Sequence, residues 1–522
     1  MTRVLRIVLV LAALGMLAYR FRHVGLAPFA RDEPQFLRAA GQQLDTGHWL
    51  SANPLYGNLG LRYGPAAFWF YGVVQAVAGR DPRIAILAMG LTLTLAQLAL
   101  ALAVWRLLGE SAAVLAVLVA WVASSPYQFL WSRLAWDLTS NAAVFAAAAL
   151  LCTYRELGVP RALALGALIG LGLSTHPMVV PFAVAVLAAV GWEQWRRGRD
   201  GILAAAALIG CMVLVNVPYL LFLLRAPIVG RAPRLPLSPA GFGSLFLQAP
   251  RIATTWGLPY YFGRSWSDFR LWLGEGADLV EPISLVALVL CAVATVAGIA
   301  AALLSPDARQ RRMGRVALIA WIGNVLLLAA VGLERHPHYN FSSAWVPVFG
   351  VASAVAWLRR TRPRAGSAAL ALLAAVAIGQ FAVIVGWMGF IRASGGTRSP
   401  GYGTPIGIQR DAMRAACATS EPTIVLKNET EMFPFPFEYH ALTLPECRSK
   451  TLVVCAEEPR PLTKACPSPA AGARVLAEGR MSTGCVRRDR HWRAIAAFPP
   501  RSTYFWTLPV AVLGSSARNV NP

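Results

Sequence analysis

Long apolar blocks separated by short polar segments dominate the pattern of the chain. The blocks are about 15 to 25 residues long, enough to cross a hydrocarbon core of roughly 30 Å at about 1.5 Å per helical residue. Segments that cross lipid must be helices, because lipid offers the backbone no hydrogen-bond partners. The pattern therefore predicts an all-α polytopic membrane part with about eleven transmembrane helices. The predicted spans are residues 4–20, 83–107, 112–130, 138–154, 161–175, 177–194, 202–224, 279–304, 315–333, 342–358 and 366–391.

Three long polar segments lie between or after these spans: residues 21–82, 225–278 and 392–522. The first segment contains an amphipathic stretch near 33–48 and an aromatic apolar run at 66–78. That run is too short to span a bilayer, so we predict a helix at the membrane interface.

The third segment has turn signals and short β-type runs at Thr423–Leu426 and Thr451–Val454. These features predict a small α/β or β-rich domain. The chain thus divides into a membrane domain, residues 1–391, with loops 21–82 and 225–278, and a C-terminal domain, residues 392–522.

Basic residues alternate in number from one short loop to the next, which predicts the orientation by the positive-inside rule. With the N-terminus in the cytoplasm, the short outer loops carry only Arg133 and Arg335, while the inner loops carry several arginines each. An odd number of spans then places the C-terminal domain outside. We expect a multi-pass protein of the plasma (inner) membrane with an extracytoplasmic C-terminal domain.

Composition agrees with a membrane location, since 57% of the 522 residues are hydrophobic and 14% are charged. The net charge of +23 would suit nucleic acid. The basic residues nevertheless concentrate in loops beside apolar blocks, so we expect membrane lipids as partners and no nucleic acid.

Eight cysteines fall into two groups. Three lie in apolar blocks and are expected to be buried. The other five lie in the polar C-terminal part, which indicates an oxidising compartment and disulfides, although the pairing stays open. They are Cys417, Cys447, Cys455, Cys466 and Cys485.

Candidate chemistry gathers at the outer ends of the predicted helices. No predicted span has a charged residue near its middle, which argues against ion-coupled transport. The polar clusters are Arg31-Asp32-Glu33-Pro34, Arg62-Tyr63-Gly64-Pro65, Ser132-Arg133-Leu134-Ala135-Trp136-Asp137, Thr175-His176-Pro177 and Glu334-Arg335-His336-Pro337-His338-Tyr339. Carboxylates and cations on one membrane face suit glycosyl transfer from a lipid-phosphate sugar, which needs a base for the incoming hydroxyl and cations for the departing phosphate.

The order and shared sidedness of these clusters resemble the GT-C superfamily of membrane glycosyltransferases. The features that match are an Asp-Glu pair in the first outer loop, a cation before an aromatic interfacial helix, and S-R-x-x-x-D after the third span. The most similar branch is the protein O-mannosyltransferase and aminoarabinose transferase group, glycosyltransferase family 39-like. The resemblance covers roughly residues 1–391.

The resemblance implies a role for each matching residue. Asp32 takes the position of the general base or substrate-orienting carboxylate, and Glu33 and Asp137 match the other acidic positions. Arg62 takes the position of a cation against the lipid phosphate. His176 stands where relatives often carry Lys, and Tyr339 matches a tyrosine in the loop before a Pro-containing span.

Other residues extend the predicted site. Arg133 is a further candidate ligand of the donor phosphate. His336 and His338 are further candidates, since an HxH pair can ligate metal, although no third ligand is evident. A divalent metal therefore stays open as a cofactor.

Each candidate also has a structural alternative. Asp32 and Glu33 suit the N-terminal cap of a helix, with Pro34 in its first turn. Asp137 suits the cap of the fourth span. Arg62 suits an interfacial residue whose guanidinium reaches the headgroups, and His176 suits a loop residue whose ring bonds to the backbone.

The sequence favours a membrane glycosyltransferase that moves a sugar from a polyprenyl-phosphate donor to a lipid, polysaccharide or protein hydroxyl in the cell envelope. Two alternatives stay open. One is a transporter or flippase of lipid-linked sugars, and the other is a non-catalytic assembly protein on the same scaffold. The sugar and the acceptor are not specified.

Overall fold

The computed structural model of the chain describes most of the predicted membrane part and several pieces of the C-terminal part. The described residues are 3–30, 32–54, 62–137, 142–225, 239–256, 265–274, 277–331, 337–396, 402–418, 423–428, 435–449, 451–456, 464–465, 474–479 and 508–512.

Helices make up nearly all of the described residues before 396. In chain order the first twelve are α1 Arg3–Tyr19, α2 Asp32–Thr46, α3 Ala66–Ala78, α4 Pro82–Leu108, α5 Ala112–Ser124, α6 Pro126–Trp131, α7 Ala142–Thr153, α8 Val159–Thr175, α9 Val180–Trp195, α10 Arg199–Leu223, α11 Pro239–Phe246 and α12 Gln248–Ile252. The next five are α13 Ser265–Leu273, α14 Ala277–Leu303, α15 Ala308–Val331, α16 Trp345–Thr361 and α17 Pro363–Ser394.

Six helical segments in the described part of the chain are long and apolar enough to cross a membrane. They are Pro82–Leu108, Pro177–Trp195, Arg199–Leu223, Ala277–Leu303, Ala308–Val331 and Pro363–Ser394. The chain is therefore a multi-pass helical membrane protein. A helix also overlaps each of the other five predicted spans, but these helices are shorter, so the number of eleven spans stays a prediction.

Two predictions outside the spans are confirmed as helices. The amphipathic stretch forms α2, and the aromatic run forms α3. Ser125-Pro126 divides the third predicted span into α5 and α6, because Pro126 cannot donate a backbone hydrogen bond and begins the second helix.

Close helix crossings rest on small residues. A Cβ on Gly298 of α14 would overlap the backbone of Gly350 in α16, and a Cβ on Gly166 of α8 would overlap the backbone of Leu208 in α10. Small residues allow helices to approach closely where lipid supplies no hydrophobic drive for association. The apolar core formed around these crossings includes Leu100, Trp121 and Trp345.

Within its described residues, the C-terminal part contains two α-helices, α18 Ile406–Cys417 and α19 Phe435–Thr443, and a five-stranded sheet. The strands are β1 Thr423–Asn428, β2 Thr451–Ala456, β3 Lys464–Ala465, β4 Arg474–Gly479 and β5 Leu508–Val512. Their spatial order is β3-β2-β1-β5-β4.

The sheet is mixed. Strand β2 runs parallel to both β1 and β3, whereas β5 runs antiparallel to both β1 and β4. The two strands predicted from β-type runs are therefore present as β1 and β2. The division of the chain into two domains stays a prediction.

One disulfide joins Cys417, at the end of α18, to Cys447. The sequence left this pairing open. Cys152 and Cys291 are buried thiols of the helical part, as expected from their apolar neighbours, whereas Cys211 is only partly buried. Cys466 and Cys485 lie outside the described residues.

Candidate functional site

The Asp-Glu pair lies in the first turn of α2. Asp32 is half-buried and Glu33 is buried. One carboxylate oxygen of Glu33, Oε2, accepts a hydrogen bond of 3.1 Å from the backbone N–H of Ala30. This hydrogen bond ties the chain just before α2 to the first turn of the helix, and the negative charge of Glu33 at a helix N-terminus is electrostatically favourable. This role leaves the predicted role of Asp32 untouched.

The apolar side of helix α2 holds it against neighbouring segments of the chain. The Phe36 ring stacks on that of Phe68 in α3, with centroids 4.6 Å apart. Both rings belong to an apolar cluster that also contains Tyr71 and Ala135. Asp32 therefore begins a helix that packs beside the loop carrying Asp137.

The loop carrying Arg62 is anchored at several points. The Tyr219 hydroxyl donates a hydrogen bond of 2.7 Å to the Arg62 carbonyl, and the Arg62 guanidinium carbon lies 5.8 Å from the centre of the Phe222 ring. A Cβ on Gly64 would overlap the backbone of Ser174, so only glycine allows this approach to the end of α8.

A continuous row of rings connects four separate chain segments. Tyr63 lies 4.3 Å from His176 between ring centroids, and His176 lies 5.7 Å from Tyr339. Tyr339 lies 4.4 Å from His338, and His338 lies 5.3 Å from Trp136. The structure therefore brings the Arg62 loop, the Asp137 loop, His176 and Tyr339 together.

Asp137 is buried beside this row of rings. The carbonyl of its neighbour Trp136 accepts a hydrogen bond of 3.2 Å from the Tyr71 hydroxyl of α3. A Cβ on Gly90 of α4 would overlap the Ser132 carbonyl, so α4 fixes the start of the same loop. The described part of α7 begins at Ala142, five positions after Asp137.

His176 is buried, and its Nδ1 accepts a hydrogen bond of 3.1 Å from the backbone N–H of Met178. Burial lowers the pKa of His176 to about 3. The imidazole is therefore neutral near pH 7, so it can donate one hydrogen bond from Nε2 but carries no positive charge. The sequence also allowed a histidine whose ring bonds to the backbone, and Nδ1 of His176 makes such a bond.

Arg133 is buried, and its guanidinium binds main-chain carbonyl groups. The NH1 nitrogen donates to the carbonyls of Arg20 at 2.9 Å and Arg22 at 2.8 Å, and NH2 donates to that of His23 at 2.6 Å. Arg133 thus closes the turn after α1. This geometry assigns it a structural task that the S-R motif alone did not indicate.

The candidate metal ligands are only partly described by the structure. His336 lies outside the described residues, and His338 packs between the rings of Trp136 and Tyr339. In the described part of the chain, no three His, Cys, Asp or Glu side chains are grouped as metal ligands would be. Whether the protein uses a divalent metal therefore stays open.

An apolar cavity of about 370 Å³ adjoins these residues. It lies between α3, α4, α7 and α8, and both Ala66, next to Pro65, and Thr175, next to His176, line it. Thr92 and Leu171, also in its wall, are exposed on the outside of the helical part. Alanines of α7 leave this space open, so the cavity suits a hydrocarbon chain.

Several positioning residues were not predicted. In the sequence, Tyr63 and Trp136 are members of polar clusters; in the structure, their rings belong to the row that connects the loops. Tyr71 was read only as part of an interfacial helix. Their proximity to motif residues was the available signal, whereas ring-to-ring contacts between distant segments leave no periodic trace in a sequence.

Comparison with solved structures gives one strong likeness. ArnT from Cupriavidus metallidurans bound to undecaprenyl phosphate matches with a TM-score of 0.56 and 15% identity, covering 98% of this chain and 98% of that chain. ArnT from the same organism in the apo state matches with a TM-score of 0.54 and 14% identity, covering 86% of this chain and 85% of that chain.

A weaker match is the oligosaccharyltransferase of Archaeoglobus fulgidus in the apo form, with a TM-score of 0.41 and 14% identity, covering 79% of this chain and 58% of that chain. No family model matches the chain, and no curated protein matches it. At these identities the likeness to ArnT is a likeness of fold. The two ArnT structures show that this chain shares the fold of ArnT, as the resemblance inferred from the sequence implied.

Proposed function

We propose that this chain is a glycosyltransferase that moves a sugar from a polyprenyl-phosphate donor to an acceptor hydroxyl at the outer membrane surface. The observation that carries the proposal is the row of rings that joins the loops of Arg62 and Asp137 to His176 and Tyr339. The fold shared with ArnT, which binds undecaprenyl phosphate, supports the same donor class. Fold alone does not define chemistry, so the residues must carry the argument.

We propose that the carboxylate of Asp32 binds the acceptor hydroxyl. The carboxylate is half-buried at the start of α2, whose position is fixed by the stacking of Phe36 on Phe68. A carboxylate held there would orient the hydroxyl and accept its proton as the new bond forms. Asp137 supplies the second acidic position, and Glu33 stabilises the turn beneath Asp32.

We propose that the guanidinium of Arg62 binds the donor phosphate, and that Tyr339 and Nε2 of His176 donate hydrogen bonds to it. A guanidinium suits phosphate because it presents several donors in one plane. His176 contributes a neutral donor, since its pKa is lowered by burial. We leave Arg133 out of this set because three main-chain carbonyls occupy its guanidinium.

We assign the isoprenoid chain of the donor to the cavity of about 370 Å³. The cavity is apolar and has exposed residues in its wall, so a chain could enter it from the bilayer. Its lining includes Ala66 and Thr175, which are near neighbours in sequence of Arg62 and His176. One donor molecule could therefore place its phosphate at Arg62 and its isoprenoid chain in this cavity.

The proposed reaction is a direct displacement. The acceptor oxygen forms a bond to the anomeric carbon of the sugar while the bond from that carbon to the phosphate oxygen breaks. The hydroxyl proton passes to Asp32, and polyprenyl phosphate leaves with the bonding electrons. Arg62 stabilises the charge that develops on the departing oxygen. Attack opposite the leaving group inverts the configuration at the sugar carbon.

The location is part of the proposal. The distribution of arginines supports an N-terminus in the cytoplasm and a site on the extracytoplasmic face of the plasma membrane. The disulfide between Cys417 and Cys447 supports an oxidising compartment for the C-terminal part.

Turnover in detergent tests this proposal. Purified protein should release polyprenyl phosphate from a polyprenyl-phosphate sugar in the presence of an envelope-lipid or polysaccharide acceptor extract. Asp32→Asn should reduce turnover at least about 100-fold, because a positioned base contributes roughly 10²–10⁴-fold. A flippase would consume no donor in detergent. Donor consumption by Asp32→Asn at the wild-type rate would eliminate the assignment of the base.

A further inference from the structure

The C-terminal part holds the stretch of chain that immediately precedes the Asp-Glu pair. Residues 26–29 accept three hydrogen bonds from residues 402–409. The Leu26 carbonyl accepts from the Tyr402 hydroxyl, the Ala27 carbonyl from the Ile406 N–H at 3.0 Å, and the Phe29 carbonyl from the Gln409 side chain at 2.8 Å. Pro28 and Pro405 form an antiparallel bridge between these hydrogen bonds. The two segments are therefore joined by one backbone bridge and by hydrogen bonds from two side chains.

Gln409 is the most deeply buried polar side chain of this contact, with 0% of its surface exposed. Its Nε2 donates to the Phe29 carbonyl and, at 2.9 Å, to the Thr404 carbonyl. Both N–H bonds of the amide are thus used. One bond crosses to the outer loop and the other stays within the C-terminal part, so the side chain links the two.

The bond from Gln409 reaches the Asp-Glu pair through one peptide group. The Phe29 carbonyl and the Ala30 N–H are opposite ends of the same planar unit. Gln409 binds the carbonyl end, and the Glu33 carboxylate binds the N–H end. The tilt of this plane therefore sets the position of Glu33, which follows Asp32 in the first turn of α2.

The rest of the segment keeps Gln409 in place. The Phe29 ring packs against those of Tyr439 and His440, with centroids 5.6 Å and 5.4 Å away. The disulfide of Cys417 fixes the far end of α18. Gln409 therefore has a rigid support, which a positioning residue needs.

We propose that Gln409 is a positioning residue for the transfer reaction. It orients the Phe29–Ala30 peptide plane, and through Glu33 it holds Asp32 where the acceptor hydroxyl is deprotonated. The C-terminal part thereby completes the active site without touching substrate. This inference rests on the proposed function, in which Asp32 is the base.

The test variant is Gln409→Met, which keeps the length of the side chain and removes both N–H donors. The matched control is Arg414→Met in the same helix, because Arg414 is exposed and pairs with Glu446 on the surface. Gln409→Met should lower kcat at least about tenfold, since small misplacements of reacting groups have effects of this order. The KM for the donor should stay within about twofold, because the phosphate contacts lie on other loops.

A double variant separates positioning from general destabilisation. If Gln409 acts through Asp32, then Gln409→Met should change the residual turnover of Asp32→Asn less than about twofold. A purely structural role would lower residual turnover in both backgrounds by the same factor. Equal effects in both backgrounds would overturn the inference.

Hydrogen exchange tests whether Gln409 positions this loop and does not depend on measuring turnover. The amide of Ala30 should exchange at least about tenfold faster in Gln409→Met than in wild type or Arg414→Met, because its hydrogen bond to Glu33 is weakened. Unchanged exchange across residues 24–37 contradicts the inference. If wild-type protein consumes no donor, the proposed function fails, and the exchange result alone decides whether Gln409 holds this loop.

Discussion

At the scale of single residues, the motifs predicted to lie on the outer face contain two kinds of arginine. Arg62 lies half-buried on a loop, above the ring of Phe222, whereas Arg133 is buried and binds three main-chain carbonyls. The family resemblance placed Arg62 beside the donor phosphate, and Arg133 was a further candidate from a neighbouring motif. Burial and hydrogen-bond partners depend on the three-dimensional neighbours, so the pattern could not distinguish them.

Substituting the two arginines should separate these roles. Arg133→Met should lower the free energy of unfolding by about 3 kcal/mol, because it leaves buried carbonyls without donors. Arg62→Met should leave stability nearly unchanged and weaken donor binding at least about tenfold, since it removes a charge from the phosphate site. Thermal melting and donor titration in detergent measure both. A stable Arg133→Met protein with weakened donor binding would restore the original prediction.

Gly64 offers a second test at this scale. Gly64→Ala should push the Arg62 loop away from the end of α8, because the added methyl group would overlap the Ser174 backbone. We expect at least about a tenfold loss of kcat/KM, as misplacing a phosphate-binding loop by about 1 Å has large effects. Gly379→Ala is the matched control, since a Cβ there meets no atom within 4 Å. Equal activity of the two variants would show that this contact is dispensable.

At the scale of elements, apolar periodicity predicted the helices well but not their contacts. Helices α2 and α3 and strands β1 and β2 match the predicted stretches closely, because each has a local signal of period or composition. The break between α5 and α6 is signalled by Ser124-Ser125-Pro126, but the predicted span 112–130 joined the apolar runs on either side into one helix. The pairing of residues 402–409 with 26–29 joins segments nearly 400 positions apart, and no local signal encodes it.

Helix α19 gives the C-terminal contact a pH dependence. His440 is buried against Phe29, and neither ring nitrogen has a hydrogen-bond partner among the described residues. Burial and the nearby charge of Arg410 lower the pKa of His440 to about 3, with Asp81 opposing the shift. A detached segment would regain an ordinary histidine pKa of about 6.5, so it would bind a proton that the docked segment does not.

Docking of α19 should therefore be strongest above pH 6.5 and should weaken as the pH falls from about 6.5 toward 3. At pH 5 the loss should be roughly 2 kcal/mol relative to pH 7.5. Hydrogen exchange of residues 435–443 at several pH values measures it. His440→Gln should remove most of this dependence, whereas His48→Gln should retain it because His48 is exposed. Identical pH profiles for His440→Gln and wild type would contradict this account.

At the scale of the whole molecule, a helical membrane part presents several loops at one face, and the C-terminal part packs on the first of them. The sequence predicted the apolar helices and a fold like that of the aminoarabinose transferases, because these depend on order and composition along the chain. The row of rings, the cavity beside it and the role of Gln409 depend on how distant segments meet. They required the structure.

The central claim is that one outer-face site, built around Arg62, His176 and Tyr339, receives the phosphate of a polyprenyl-phosphate donor. Photo-crosslinking tests it most directly, with a polyprenyl phosphate that carries a photoreactive group in its first isoprene unit. The account predicts labelled peptides covering residues 62–71 and 171–176, with competition by unlabelled polyprenyl phosphate and loss in Arg62→Met. Competed labelling confined to the opposite helix ends, near Glu193 and Arg312, would contradict it.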